Sequence, residues 1–132
     1  MKKEEELLKP IRNLWGAVLW QTVRDYRVAC LYGDETGYAI EPGNKKALFE
    51  KNIANELEVM GYGEWLPKIK ASALRVRAYM DKIAPTIKRG EKRHVDCPGC
   101  GGVNTLRVWY GRKRVCCHCE ACEICYIYWR ES

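Results

Sequence analysis

Histidine is scarce in this 132-residue chain, with His94 and His118 the only two. Both lie beside cysteines, so neither stands as an independent general base. A phosphate-cradling G-x-x-x-x-G-K, a metalloprotease H-E-x-x-H and a nucleophile elbow are also missing. The zinc-deaminase pattern needs H-x-E with P-C-x-x-C, and His94-Val95-Asp96-Cys97-Pro98 fails it. No enzymatic activity and no small-molecule substrate are expected. Apolar runs fall well short of the roughly 20 residues that cross a bilayer. The opening MKKEEELLKP lacks the apolar stretch and small-residue cleavage site of a signal peptide. A cytoplasmic protein without membrane contact is expected, in a compartment that keeps thiols reduced.

Cysteine, by contrast, is abundant and clustered. Seven of the eight cysteines fall between Asp96 and Trp129. Short spacings in a reducing compartment point to metal ligation rather than to disulfides. Cys97-Pro-Gly-Cys100-Gly-Gly makes a tight turn in which two sulfurs and the following amides converge on one ion. Val95 suits a short strand entering that turn. Thr105, Leu106, Val108 and Tyr110 alternate as a second strand, Gly111-Arg112-Lys113 turns, and Val115 begins the return.

Cys116, Cys119, Cys122 and Cys125 recur at steps of three, which leaves three registers for the second ligand pair. Cys116 with Cys119 puts 15 residues between the pairs, Cys119 with Cys122 puts 18, and Cys122 with Cys125 puts 21. The first two fall in the usual window of about 15–20. Cys116 and Cys119 are the preferred pair, with Cys122 close behind, so the candidate ligands are Cys97, Cys100, Cys116, Cys119 and Cys122. A second metal using His94 or His118, and a ferredoxin-like iron–sulfur run over Cys116–Cys125, are rival readings. Spare thiols such as Cys30, Cys117 and Cys125 suit small apolar core positions.

With Cys97-Pro-Gly-Cys100-Gly, a strand, a basic turn and Val115-Cys116-x-x-Cys119, residues 95–129 resemble a zinc ribbon. Such ribbons occur in general transcription factors, polymerase subunits and small phage restriction-alleviation proteins. The resemblance implies bound Zn2+ and the fold, and leaves function open. A unit this small cannot bury enough apolar surface to fold alone, and metal ligation supplies the missing stability.

The first two thirds of the chain read as helical. Leu7, Leu8, Ile11, Leu14, Trp15, Val18, Leu19, Thr22, Tyr26 and Ala29 share one face of a helix over residues 4–31, with Gly33 at its far end. Leu48, Phe49, Ile53, Leu57 and Met60 define a second helix, which Asn44 can cap. Pro67 opens a third, burying Ile69, Ala73, Val76, Met80 and Ile83. The expected class is α+β: a three-helix bundle (1–84), a basic linker (85–94) and a zinc-ribbon β-hairpin module (95–132). The stretch LWGAVLWQTVRD is similar to small phage-encoded helical proteins with a W-x-x-V-L-x-Q motif, matched by Trp15, Val18, Leu19, Gln21 and Asp25. That likeness implies origin and no activity.

The net charge is +6. Residues 84–132 hold 9 Lys/Arg against 5 Asp/Glu, or +4. Clusters of this kind suit phosphate. Arg107, Arg112, Lys113 and Arg114 are the candidate nucleic-acid contacts, with Trp109 or Tyr110 available to stack on a base. The expected function is a zinc-binding module contacting nucleic acid or the transcription machinery. The alternative is an adaptor or inhibitor of a host protein, docking through Trp20 with Arg24 and Arg27, which lie opposite the apolar face of the first helix. The aromatic tail Tyr126–Trp129 is a second docking candidate, although Ile127 and Trp129 also suit the seam between ribbon and helices. A helix-turn-helix reading of the second and third helices rests on Lys68, Lys70, Arg75 and Arg77.

Overall fold

A computed structural model describes residues 16–37 and 48–130. Three helices, α1 (Gly16–Thr36), α2 (Glu50–Val59) and α3 (Leu66–Ile83), precede four strands. The strands are β1 (Lys92–Val95), β2 (Leu106–Tyr110), β3 (Arg114–Cys119) and β4 (Cys125–Trp129). They form one antiparallel sheet in the order β1-β2-β3-β4. The α+β class therefore holds. Residues 4–15 of the expected first helix, with Trp15 of its motif, and Asn44 as a cap lie outside the described residues.

Helix α1 breaks at its expected far end, Gly33, where φ is 74°, and runs on to Thr36 as a short further helical segment. It packs against α2 and α3 on one side and β4 on the other. Its expected apolar face is buried at Leu19, Tyr26 and Ala29, but Val18 is exposed, and Val23, which the expected face did not include, is buried. In α2, Ile53 and Leu57 are buried while Met60, just beyond its end, is exposed. Helix α3 starts with Pro67 in its first turn, where a missing N–H costs nothing. Ile69, Ala73, Val76 and Met80 are fully buried, as their spacing predicts.

The sheet lays its inner face on the helices. Leu106, Val108 and Tyr110 of β2, with Val115, Cys117 and Cys119 of β3, join the helical residues in one hydrophobic core. Burying each such aliphatic side chain is worth about 1.5–3 kcal/mol, so the sheet contributes to the same core that holds the helices. The stretch expected as a linker is structured. Ala84 and Ile87 are buried, Gly90 N–H donates to the Tyr110 carbonyl, and β1 begins at Lys92. Arg130, just past β4, stacks on Tyr110 and donates to the carbonyls of Ala84 and Ile87.

One expectation about surface is corrected. Trp20 and Arg27 are buried and Arg24 is half-buried, so this trio is no exposed anchor. The opposite side of α1 is polar by sequence but is covered by the second layer of the fold. On α3, Arg75 donates to the carbonyls of Pro98 and Gly99, Arg77 to that of Leu31, and Lys70 pairs with Glu50 at 2.5 Å. Three of the four cations of the supposed recognition helix thus have partners within the fold, while Arg75 and Arg77 remain exposed.

Candidate metal centre

Two turns that copy one another carry the cysteines. In the first, Cys97 N–H donates to the Gly102 carbonyl (2.9 Å) and Gly101 N–H to the Cys97 carbonyl (2.8 Å). In the second, Cys119 N–H donates to the Ile124 carbonyl (3.0 Å) and Glu123 N–H to the Cys119 carbonyl (2.8 Å). Each turn has a positive φ four residues after its first cysteine, 78° at Gly101 and 59° at Glu123. Glu123 therefore stands where the first turn uses glycine. The Thr105 carbonyl accepts from Glu120 N–H at 2.8 Å and links the second turn to the loop after the first.

This symmetry selects the ligand set. The sulfurs of Cys97, Cys100, Cys119 and Cys122 lie within 4.8 Å of one another. The Cys100 and Cys119 sulfurs are 3.7 Å apart. A zinc ion bound to four thiolates at about 2.3 Å would set tetrahedral edges of about 3.8 Å, so the group fits one ion at its centre. The arrangement is consistent with a zinc-ribbon-like site, and these four residues can hold a metal ion. All-sulfur donors are wrong for calcium or magnesium, which take oxygen.

The preferred register is corrected: Cys119 pairs with Cys122, and Cys116 stands apart. The reason is strand parity. Side chains alternate across a strand, so a three-residue step inside one sends two side chains to opposite faces. Cys119 ends β3 on the inner face with Val115 and Cys117, whereas Cys116 points outward, opposite Trp109 and Ile127. Cys125, in β4, is likewise outward, opposite His118. The Cys116–Cys125 run is thereby split between faces and cannot bind one cluster. Neither histidine joins the cysteine group among the described residues.

Cys97, Cys119 and Cys122 are buried and Cys100 is half-buried. Without an ion the four thiols share protons unequally. The hydrogen bond with Cys100 pulls Cys119 well below the usual thiol range and Cys122 down to about 6, with the Arg27 charge also favouring the Cys122 thiolate. Cys97 is pushed up, first by its hydrogen bond with Cys100, and Cys100 by its own with Cys119. The Cys122 N–H donates to the Cys119 sulfur at 3.3 Å, a donor suited to a thiolate, and the Thr105 hydroxyl lies at the same distance while donating to the Gly102 carbonyl.

The helices support the site from behind. Arg27 is 1% exposed, and its Nε donates to the Ser72 hydroxyl at 3.0 Å. Its Nη2 is buried with no hydrogen-bond partner among the described residues. Ser72 in turn donates to the Ile69 carbonyl at 2.6 Å. Gly99, between the first two ligands, sits directly against this group. A Cβ there would come within 2.5 Å of Arg27 Nη2, 2.9 Å of Val76 Cγ2 and 3.0 Å of the Ser72 carbonyl oxygen.

Comparison with family models, with curated proteins and with solved structures returns no match. The likeness of the first helix to phage proteins thus gains no support. What the chain does has to be read from its own surface.

That surface is the outer face of the sheet, which the register lays out in rows. His94, Arg107, His118 and Cys125 cross the four strands in one row. Lys92, Trp109, Cys116 and Ile127 form the next, and Arg114 with Trp129 the last. Arg112 and Lys113 lie exposed in the turn beyond. Arg107, Arg112, Lys113 and Arg114, the four cations expected to meet phosphate, are therefore grouped on one exposed side. Ile127 and Trp129, expected to fill the seam with the helices, point outward instead, while Tyr126 and Tyr128 pack on the core. Among the described residues no helix is long and apolar enough to cross a membrane.

Proposed function

We propose that this protein is a non-enzymatic zinc-binding module that contacts nucleic acid through the solvent face of its sheet. The observation that carries the reading is the charge of that face. Lys92, Arg107 and Arg114 point outward, Arg112 and Lys113 extend the patch, and among the described residues no outward strand position holds a carboxylate. Such a surface suits a phosphate backbone.

Zinc is the ion of choice for four thiolates at tetrahedral spacing, and its role here is structural. A closed four-sulfur shell leaves no open position for a water or substrate. Reduced thiols also suit a cytoplasmic setting. The adaptor reading loses Trp20 and Arg27 to burial and keeps the outward Ile127 and Trp129 of the aromatic tail.

The test joins metal analysis of the purified protein to nucleic-acid titrations at rising salt. One zinc per chain and binding that weakens steeply with salt are expected. If the combined variant Arg112→Ala, Lys113→Ala, Arg114→Ala bound nucleic acid as tightly as the parent, the reading would be wrong.

A further inference from the structure

We propose that the outward sheet face is a platform for single-stranded nucleic acid, with unpaired bases stacking on Trp109 and Trp129 between phosphate-binding cations. The inference rests on the nucleic-acid reading above and narrows it to one class of strand.

Charge alone would suit any polyanion; the aromatic residues on this face do not. Trp129 is 64% exposed at the edge of the sheet, and Trp109 is half-buried two strands away. Tryptophans set among cations on one exposed face are the combination on which single-stranded nucleic acid stacks its bases. Each also carries a guanidinium: Arg107 lies 5.3 Å from the Trp109 ring centre and Arg114 5.7 Å from that of Trp129. A cation on a ring orients it and keeps a phosphate-binding group beside a surface on which a base can stack. Between the two indoles lies a shallow depression of about 300 Å³. Trp109, Cys116 and Trp129 line it together with Arg112, Lys113 and Arg114. A second hollow, of about 370 Å³, lies on the other side of Trp109 beside Lys92, His94 and Arg107. Hollows flanked by rings and cations thus run across the strands, as a single strand of bases and phosphates would require.

Dimensions argue against a duplex. Four strands spaced at about 4.8 Å make a face roughly 14 Å wide between outer backbones. The major groove is about 12 Å wide and admits a helix or a two-stranded ribbon, so this face cannot enter it. Bases inside a duplex are stacked on one another and offer no ring face to an indole.

The experiment measures binding of the zinc-loaded protein to a short labelled single strand, as DNA and as RNA, and to the matching duplex, at about 50 mM and 200 mM salt. The single strand is expected to bind at least about tenfold more tightly than the duplex. Trp129→Ala and Trp109→Leu should each weaken it about fivefold or more, since stacking contributes on that scale per base. Trp129 is exposed, so its variant should keep the parent's zinc content and unfolding temperature, which separates lost contact from lost fold. Equal or tighter duplex binding, or tryptophan variants that bind as the parent does, would overturn the platform. Duplex binding lost in the Arg112/Lys113/Arg114 variant would leave the broader reading standing. Binding to neither nucleic acid would remove both.

Discussion

Arg27, buried in α1, has its guanidinium packed against Gly99, the residue between Cys97 and Cys100 in the first cysteine turn. The helices and the metal turn thereby meet with no room for a single added methyl. Gly99→Ala would press on Arg27 Nη2, on Val76 and on the backbone of α3 at Ser72, and the α3 backbone cannot yield cheaply. Overpacking of this kind costs about 1–3 kcal/mol. Denaturant unfolding of the zinc-loaded protein should show a free energy of unfolding lower by that amount, read as a lower midpoint at unchanged slope. An unchanged midpoint would mean that the turn and helices move apart freely.

Arg27 itself should tune the ion more than the fold. Four thiolates and a divalent ion sum to about −2, and Arg27 brings a buried positive charge to their edge. Its Nη2 has no hydrogen-bond partner among the described residues, so in the metal-free protein the neighbouring Cys122 thiolate offsets only part of the cost of burying that charge. Arg27→Met should therefore weaken zinc or cobalt binding about tenfold or more, in the range seen when groups behind metal ligands are changed. The metal-free variant should unfold no earlier than the metal-free parent. Competition with a chromophoric chelator measures the first quantity and urea unfolding the second. Metal affinity equal to the parent's would show that Arg27 serves packing alone.

Much of this fold was legible in the sequence, and the parts that were not share a cause. Pro67 and the spacing from Ile69 to Met80 define α3, and alternation at Leu106, Val108 and Tyr110 defines β2, because each is a local rule with one reading. The second ligand pair was open because cysteines at steps of three fit every register. What decides among them is where β3 ends, since Cys116 and Cys119 fall on opposite faces of the same strand. Arg27 looked like surface because a helix covered on two sides buries residues that lie well away from its apolar stripe. The outward direction of Trp129 follows from the pairing of β4 with β3, which an aromatic tail does not announce.

Serine substitutions test the ligand set directly. Cys97→Ser, Cys100→Ser, Cys119→Ser and Cys122→Ser should each abolish the intense thiolate-to-cobalt absorption of a four-sulfur site, or shift it to that of three sulfurs. Cys116→Ser and Cys125→Ser should leave it intact, because both point to the other face of the sheet. A cobalt spectrum altered by Cys116→Ser and not by Cys122→Ser would restore the register that the strand geometry rejects.

The paired turns make a final prediction about backbone conformation. Gly101 and Glu123 hold the same position in the two copies, with φ of 78° and 59°. The left-handed region costs a residue with a Cβ about 1–2 kcal/mol, and glycine avoids this at some expense in unfolded-state entropy. Glu123→Gly should therefore stabilise the zinc-loaded protein by about 0.5–1 kcal/mol, and Gly101→Ala should destabilise it by about 1 kcal/mol. The Glu123 side chain has an interaction of its own that the change removes, so the smaller end of the gain is expected. Thermal unfolding of the two variants reads both signs in one experiment. If Glu123→Gly instead lowered stability by more than about 1 kcal/mol, the side chain would outweigh the backbone, and the two turns would be alike in shape but not in what holds them.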